Sequence, residues 1–277
     1  MDYQGRTALI TGASAGLGTA FARALAQRGA DLVITARREE RLRALAEELS
    51  GTGVNVTVLP ADLSVPGAAA RLFDQMAARR IVPDILINNA GYGLPGGFGG
   101  TNWPAQQDFL QVMVSSPAEL AHRAFRAMQA QGWGRVVNVA SLAGMTPGGP
   151  GHTLYGASKA FLINMSEALT AEANDSDIRI IAACPGLTYT EFHDANGTRN
   201  QISKAPTWLF MTAEDVVDQT LRALEGGKTV FVPGVQNKAI ATLFRLLPRP
   251  IGQRLMAGQS RRYRGSSSKA ASSSSEG

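Results

Sequence analysis

The sequence predicts an α/β fold in which a doubly wound, mostly parallel sheet carries helices on both faces. Three observations lead there. Short apolar runs recur at residues 7–10, 31–36, 54–59, 84–87, 135–141, 179–184 and 229–232. Between most of them lie stretches whose apolar residues recur at helical spacing. Several runs end in Gly, Ser, Asn or Pro-Gly, the residues of tight strand ends. Strands alternating with helices imply parallel pairing through right-handed crossovers, and ligands in such sheets sit at the carboxyl ends of the strands.

The chain has 277 residues, a length at which α/β folds usually remain one domain. With 44% hydrophobic and 18% charged residues it has a soluble globular composition, and no apolar run approaches the roughly 18 residues of a membrane span. The start, Met1 to Arg6, lacks the apolar stretch of a secretory leader, so a cytoplasmic location is expected. The single cysteine, Cys184, lies in an apolar run and reads as a buried strand thiol. His122, His152 and His193 are scattered without ligand spacing, so no metal is expected. The net charge of +5 owes much to Arg249, Arg254, Arg261, Arg262, Arg264 and Lys269. The body is closer to neutral, and nucleic acid is not an expected partner. Residues 1–235 read as the main body, 236–264 as an extension, and 265–277, a serine-rich run without apolar periodicity, as a disordered tail.

In order, the first strand ends in Thr11-Gly12-Ala13-Ser14-Ala15-Gly16-Leu17-Gly18, and a helix follows up to Gly29. Such glycines let backbone amides approach a phosphate at the positive end of a helix, as in a dinucleotide site; an ordinary tight turn is the plainer alternative. The second strand ends at Arg37-Arg38, before an amphipathic helix from Glu39 to Leu49. An acid there would bind the ribose hydroxyl of NAD, whereas arginine accommodates the 2′-phosphate of NADP, so Arg37 and Arg38 favour NADP(H) over simple solvation of a helix start. After the third strand come Ala61-Asp62-Leu63-Ser64. Ser64 reads as a helix cap, and Asp62 serves either a loop or an adenine amine. The fourth strand runs into Asn88-Asn89-Ala90-Gly91, which either closes on a cofactor or pins the sheet edge.

Residues 103–131 read as one long helical stretch, and the fifth strand delivers Ser141 to the carboxyl edge. In Tyr155-Gly156-Ala157-Ser158-Lys159 the four-residue spacing stacks a phenol and an ammonium on one helix face. There the positive charge is expected to lower the tyrosine pKa and make Tyr155 a proton donor. The sixth strand ends in Pro185-Gly186. Residues 191–212, carrying Phe192, Trp208, Leu209 and Phe210, read as an irregular lid over an apolar substrate, followed by a helix at 213–224.

Together these stretches resemble the short-chain dehydrogenase/reductase family. The matching motifs are Thr11-Gly12-x-x-x-Gly16-x-Gly18, Asn88-Asn89-Ala90-Gly91, Ser141, Tyr155-x-x-x-Lys159, and Pro185-Gly186 followed by Thr190, in order over residues 5–235. The resemblance implies a single Rossmann-type domain with about seven strands, and hydride transfer between a nicotinamide cofactor and a carbonyl or alcohol. It implies that Ser141 binds the substrate oxygen, Tyr155 delivers its proton, and Lys159 lowers the tyrosine pKa and holds the nicotinamide ribose. The implied cofactor contacts are Gly12, Ser14, Gly16, Leu17, Gly18, Arg37, Arg38, Asp62, Leu63, Asn89, Ala90, Gly91, Pro185, Gly186, Thr188 and Thr190, besides Tyr155 and Lys159. Homo-oligomers built on the two long helices are also implied. Met113 departs from the family, which usually places an asparagine there in a proton relay to the lysine; a thioether cannot replace the amide's hydrogen bonds.

In the extension, Ile240, Leu243, Phe244 and Leu247 recur at helical spacing among Lys238, Arg245 and Arg249. Packing on the body or on a partner subunit is favoured over contact of residues 238–256 with a membrane surface. The functional expectation is an NADP(H)-dependent ketoreductase or alcohol dehydrogenase acting on a lipophilic or natural-product-like molecule. An epimerase or dehydratase on the same scaffold, or an NADP-binding sensor weakened at Met113, are the alternatives.

Overall fold

The computed structural model describes residues 2–94, 97–151, 153–173, 176–189 and 206–264. Strand β1 (Thr7–Thr11) leads into helix α1 (Gly16–Ala26), β2 (Asp31–Thr35) into α2 (Glu39–Leu49), and β3 (Val56–Val58) into α3 (Ala68–Ala78). Next come β4 (Ile85–Asn88), α4 (Trp103–Leu110), α5 (Ser116–Gln131), β5 (Trp133–Val139), α6 (Thr153–Glu172) and β6 (Asp177–Ala183). Helix α7 (Ala213–Glu225), β7 (Val230–Phe231), α8 (Val235–Leu246) and α9 (Arg249–Arg264) complete the chain. The seven strands pair in parallel in the order β3-β2-β1-β4-β5-β6-β7, so the expected doubly wound Rossmann-type sheet is present.

Successive side chains of a strand point to opposite faces, and the core divides accordingly. Ala8, Ile10, Leu32 and Ile34 meet α1, α2 and α7 on one face; Leu9 and Val33 meet α3, α4, α5 and α6 on the other. Helix α7 shows why these segments are helical. Thr212 caps its first turn by accepting from the Asp215 amide at 3.1 Å, and Val216, Val217, Leu221 and Leu224 are buried along one face. Burying each such side chain stabilises by about 1.5–3 kcal/mol.

Four local expectations are corrected. The stretch 103–131 is not one regular helix: a π-helical turn at Gln111–Ser115 separates α4 from α5. Ser64 does not cap a helix; α3 begins at Ala68 after Gly67, and Ser64 instead donates to Asp62. The fifth strand ends at Val139, two residues before Ser141. In α8 the buried positions are Asn237 and Ala241, while Leu243 of the expected apolar stripe is exposed. The expected tail, 265–277, lies outside the described residues.

Charge at the amino-terminal edge of the sheet is concentrated around Glu225 at the end of α7. Arg135 on β5, only 3% exposed, donates to it at 2.7 and 3.1 Å, Arg179 on β6 at 2.8 Å, and the Tyr3 hydroxyl at 2.8 Å. Arg6 and Arg135 both lie on the Trp133 ring, at 3.9 and 4.3 Å from its centroid. Burial pushes the Glu225 carboxyl up, but its hydrogen bonds to Arg135 and Tyr3 outweigh this and hold it below the usual range. Removing one partner of a buried pair exposes the other's desolvation cost, commonly 3–5 kcal/mol. Glu225→Ala is therefore expected to lower the free energy of unfolding by about 3 kcal/mol in a denaturant titration. A loss under about 1 kcal/mol would mean that Asp177 alone satisfies Arg135.

Candidate functional site

The site is built where β1 and β4 end side by side. The Thr11 hydroxyl donates to the Ile87 carbonyl at 3.1 Å and accepts from the amides of Asn89 and Ala90 at 2.9 and 3.0 Å. The Asn89 side chain returns to the Thr11 and Gly12 carbonyls at 2.9 and 3.3 Å. Asn88 donates to Pro117 on α5 and to Asn138 on β5, at 3.0 and 2.9 Å. Of the two readings of Asn88-Asn89-Ala90-Gly91, the pinning one is visible in these bonds.

The glycine turn fits against this pair of strand ends. Gly12 has φ +67°, and a Cβ there would come within 2.9 Å of Ala90 Cα and Asn89 Nδ2. A Cβ on Gly18 would run into the Gly12 carbonyl oxygen and lie 2.7 Å from Asn89 Nδ2. Gly16 and Leu17 open α1, so free amides of its first turn lie at the end of the loop of Gly12 and Ser14. A flat backbone surface at a helix amino terminus is what a pyrophosphate requires.

Of the two arginines after β2, Arg38 reaches the turn: its guanidinium lies 3.2 and 3.3 Å from the Ser14 hydroxyl. Arg37 is exposed, and its charge opposes the rise that burial and Asp108 impose on the Tyr92 phenol. Asp62 accepts from the Ser64 amide and hydroxyl at 2.9 and 2.8 Å, the loop role, and Leu63 is buried. Gly186 sits flush against Asn237 of α8; Thr188 is buried and pairs with Met211. Thr190 lies outside the described residues.

Ser141, Tyr155 and Lys159 come together as the spacing requires. Helix α6 places Lys159 Nζ 5.8 Å from the centre of the Tyr155 ring, and the ammonium donates to the Val139 carbonyl at 2.7 Å. The Tyr155 phenol is hydrogen-bonded to the Ser141 side chain. Ser141 also caps the short turn Leu142–Gly144 by accepting from the Ala143 amide at 3.2 Å, the plainer of the two roles open to it. That turn packs directly on α6: a Cβ on Gly144 would lie 2.7 Å from the Ala160 amide.

The electrostatics differ from the expectation for Tyr155. Burial pushes its phenol up, only partly offset by the bond to Ser141, so its pKa in the ligand-free site is raised rather than lowered. Burial pushes Lys159 down to about 8, against the opposing pull of Cys184. Desolvation by burial outweighs the helix-spacing effect at both groups.

Three further residues gather here: Met113, which the family resemblance singles out, Cys184, expected only as a buried strand thiol, and Phe109, which carried no signal. Cys184, fully buried, faces Lys159, and its thiol takes a hydrogen bond from the Ser141 backbone. Met113, in the π turn, lies beside Gly91, with Lys159 Nζ close to the same point. Phe109, with Leu94, Phe98 and Leu154 and the polar Thr101, Gln106 and Thr153, lines an open cleft of mixed character that reaches Tyr155. These walls come from the segment after β4, from α4 and from the start of α6. Of the expected lid, 191–205 lie outside the described residues, and Trp208 is 66% exposed. Among the described residues no cluster of three His, Cys, Asp or Glu side chains could hold a metal ion.

Known proteins resemble this chain in sequence and in fold. The short chain dehydrogenase family pattern matches residues 6–201. The 7beta-hydroxysteroid dehydrogenase of Collinsella aerofaciens is 32% identical over 238 residues, 86% of this chain and 89% of that protein. A solved 7beta-hydroxysteroid dehydrogenase superposes with a TM-score of 0.82 at 28% identity, over 92% of this chain and 97% of that one. A short-chain dehydrogenase from Sphingobium yanoikuyae, solved in complex with NADPH, superposes with a TM-score of 0.76 at 32% identity, over 88% of this chain and 96% of that one. The chain thus belongs to the short-chain dehydrogenase family of oxidoreductases, which use nicotinamide cofactors.

Proposed function

We propose that this protein is an NADP(H)-dependent reductase or dehydrogenase that interconverts a ketone and a secondary alcohol on a lipophilic, steroid-like substrate. The observation that carries the proposal is the convergence of Ser141, Tyr155 and Lys159, with Tyr155 reaching the wall of an open cleft. The steroid class is suggested by the relatives' activity and by the cleft's walls of Leu94, Phe98, Phe109 and Leu154.

The residues present fit the cofactor. Gly12 and Gly18 let the turn pack flush on Ala90 and Asn89 so that its backbone can take a pyrophosphate at the start of α1, and Arg38 with Ser14 offers donors for a 2′-phosphate. Gly16, Leu17, Ala90 and Gly91 would complete this surface, Asp62, Leu63 and Arg37 the adenosine side, and Pro185, Gly186, Thr188 and Thr190 the nicotinamide side. When bound, the nicotinamide supplies the hydride in reduction and takes it in oxidation.

The chain's own groups handle oxygen and proton. Ser141 and Tyr155 present two hydroxyls to one substrate oxygen, where negative charge grows as the carbonyl becomes an alkoxide. Tyr155 gives its proton to that oxygen, and the raised phenol pKa keeps it protonated at neutral pH. The Lys159 ammonium stabilises the phenolate left behind.

NADPH oxidation across a panel of steroid and aliphatic ketones tests this directly. Tyr155→Phe is expected to lower kcat by at least about 100-fold while leaving NADPH binding intact. Cofactor binding by the unmodified protein without turnover on any ketone would instead favour a sensor. Arg38→Ser is expected to cut the preference for NADPH over NADH by roughly 10- to 100-fold, read as a ratio of kcat/KM values. Equal specificity for both cofactors in the unmodified protein would overturn the NADP assignment.

The pH profile follows from Lys159. Its ammonium is present below pH about 8 and lost as pH rises through that value, while the phenol remains protonated. Reductive kcat/KM is therefore expected to fall above pH about 8. A plateau continuing past pH about 9 would contradict an essential Lys159 charge.

A further inference from the structure

Helices α8 and α9 each bury one face and turn another outward. Asn237 and Ala241 of α8 are buried, with Asn237 against Gly186. Gly252 and Met256 of α9 lie against Pro147 and Gly149 in the segment following Ser141. On the outer side of α8, Val235, Ala239, Leu243 and Leu246 are exposed at spacings of four, four and three, one helical stripe; Leu243 is 54% and Leu246 77% exposed. Lys238 and Arg245, seven apart and also exposed, flank that stripe. On α9, Ile251 and Leu255 are exposed four apart, with Arg249 and Arg254 nearby.

Charge identifies what covers this surface. From residue 226 to residue 275 the chain has nine Lys and Arg and no Asp or Glu. A second copy meeting the same face about a twofold axis would bring Lys238 and Arg245 against their own duplicates. Nucleic acid would satisfy the charge but leave Val235, Leu243 and Leu246 against phosphate. An anionic bilayer satisfies both features: leucines enter the acyl boundary, and lysine and arginine stems reach back to the headgroups. No described helix is long and apolar enough to cross a membrane, so the contact is with one leaflet.

We propose that α8 and α9 form a docking surface for an anionic lipid bilayer, which holds the rim of the site at the membrane. The contacts of α9 with Pro147 and Gly149, and of α8 with Gly186, place this surface on the segments that flank Ser141 and the end of β6. That lipid-dissolved ketones are thereby delivered to the cleft rests on the function proposed above; the docking itself does not.

Flotation of the full-length chain with vesicles tests the docking without any readout of turnover. With about 30% phosphatidylglycerol in phosphatidylcholine, the protein is expected to float with the vesicles at low salt and to be released by about 0.5 M salt. Pure phosphatidylcholine should retain much less. Leu243→Ser with Leu246→Ser keeps every charge, including those beyond α9, and is expected to reduce binding by at least about tenfold while preserving thermal unfolding. Lys238→Gln and Arg245→Gln should each cost roughly fivefold. The proposal is overturned if the unmodified protein does not float, or if the leucine pair leaves flotation unchanged. It is equally overturned if that pair instead abolishes a concentration-dependent dimer or binding to duplex DNA.

Discussion

The structure depends on the closeness with which β1 and β4 end beside each other. One hydroxyl, that of Thr11, is shared among the Ile87 carbonyl and the amides of Asn89 and Ala90, and the Asn89 amide closes the same gap from the other side. These bonds satisfy backbone groups that the strands leave unpaired as they separate, and unmet buried donors are costly. They also fix the position of the Gly12 turn and thereby the start of α1. From the neighbouring strand, Asn88 extends the restraint through Asn138 to Ser166 on α6, the helix that carries Tyr155 and Lys159. The glycine turn and the Tyr155–Lys159 pair are thus tied to the same two strand ends.

The two edges of the sheet treat charge differently. At the amino-terminal edge Arg135, Arg179 and Glu225 are paired with full sets of partners, and their work is to hold β5, β6 and α7 in register. At the carboxyl edge Lys159 is buried with no carboxylate beside it among the described residues; it donates to the Val139 carbonyl, and burial lowers its pKa strongly. A perturbed group in a cleft marks chemistry more than stability. The separation leaves the structural ion pairs outside the reach of substrate and pH changes at the site.

Much of this was legible in the sequence because it depends on local periodicity. The alternation of strands and helices gave the sheet order its parallel logic, and the spacing of Tyr155 and Lys159 placed both on one face of α6. What was not legible depends on distant packing. Arg37 and Arg38 are alike in sequence, and only the path of the loop after Gly12 gives Ser14 to Arg38. The phenol shift of Tyr155 reverses sign because burial comes from segments remote in the chain. In α8 a polar residue, Asn237, faces inward because Gly186 leaves room for it, which no hydrophobic pattern announces. The cleft's walls likewise come from residues 94–109, whose apolar side chains look like ordinary core.

The π turn at Gln111–Ser115 has a consequence for how this region tolerates change. A π turn holds one residue more than an α-helical turn, and the surplus is fixed by packing on both sides: Phe109 ahead of it, Leu120, Ala124 and Met128 beyond. Loss of one residue between 111 and 115 would let the turn close to regular α-helix while Leu120, Ala124 and Met128 keep their places on the sheet. Loss of one residue just after Ser116 would instead rotate everything downstream by about 100° and carry those side chains off the sheet. The bulge is accordingly the place where this long helical stretch absorbs a change in chain length.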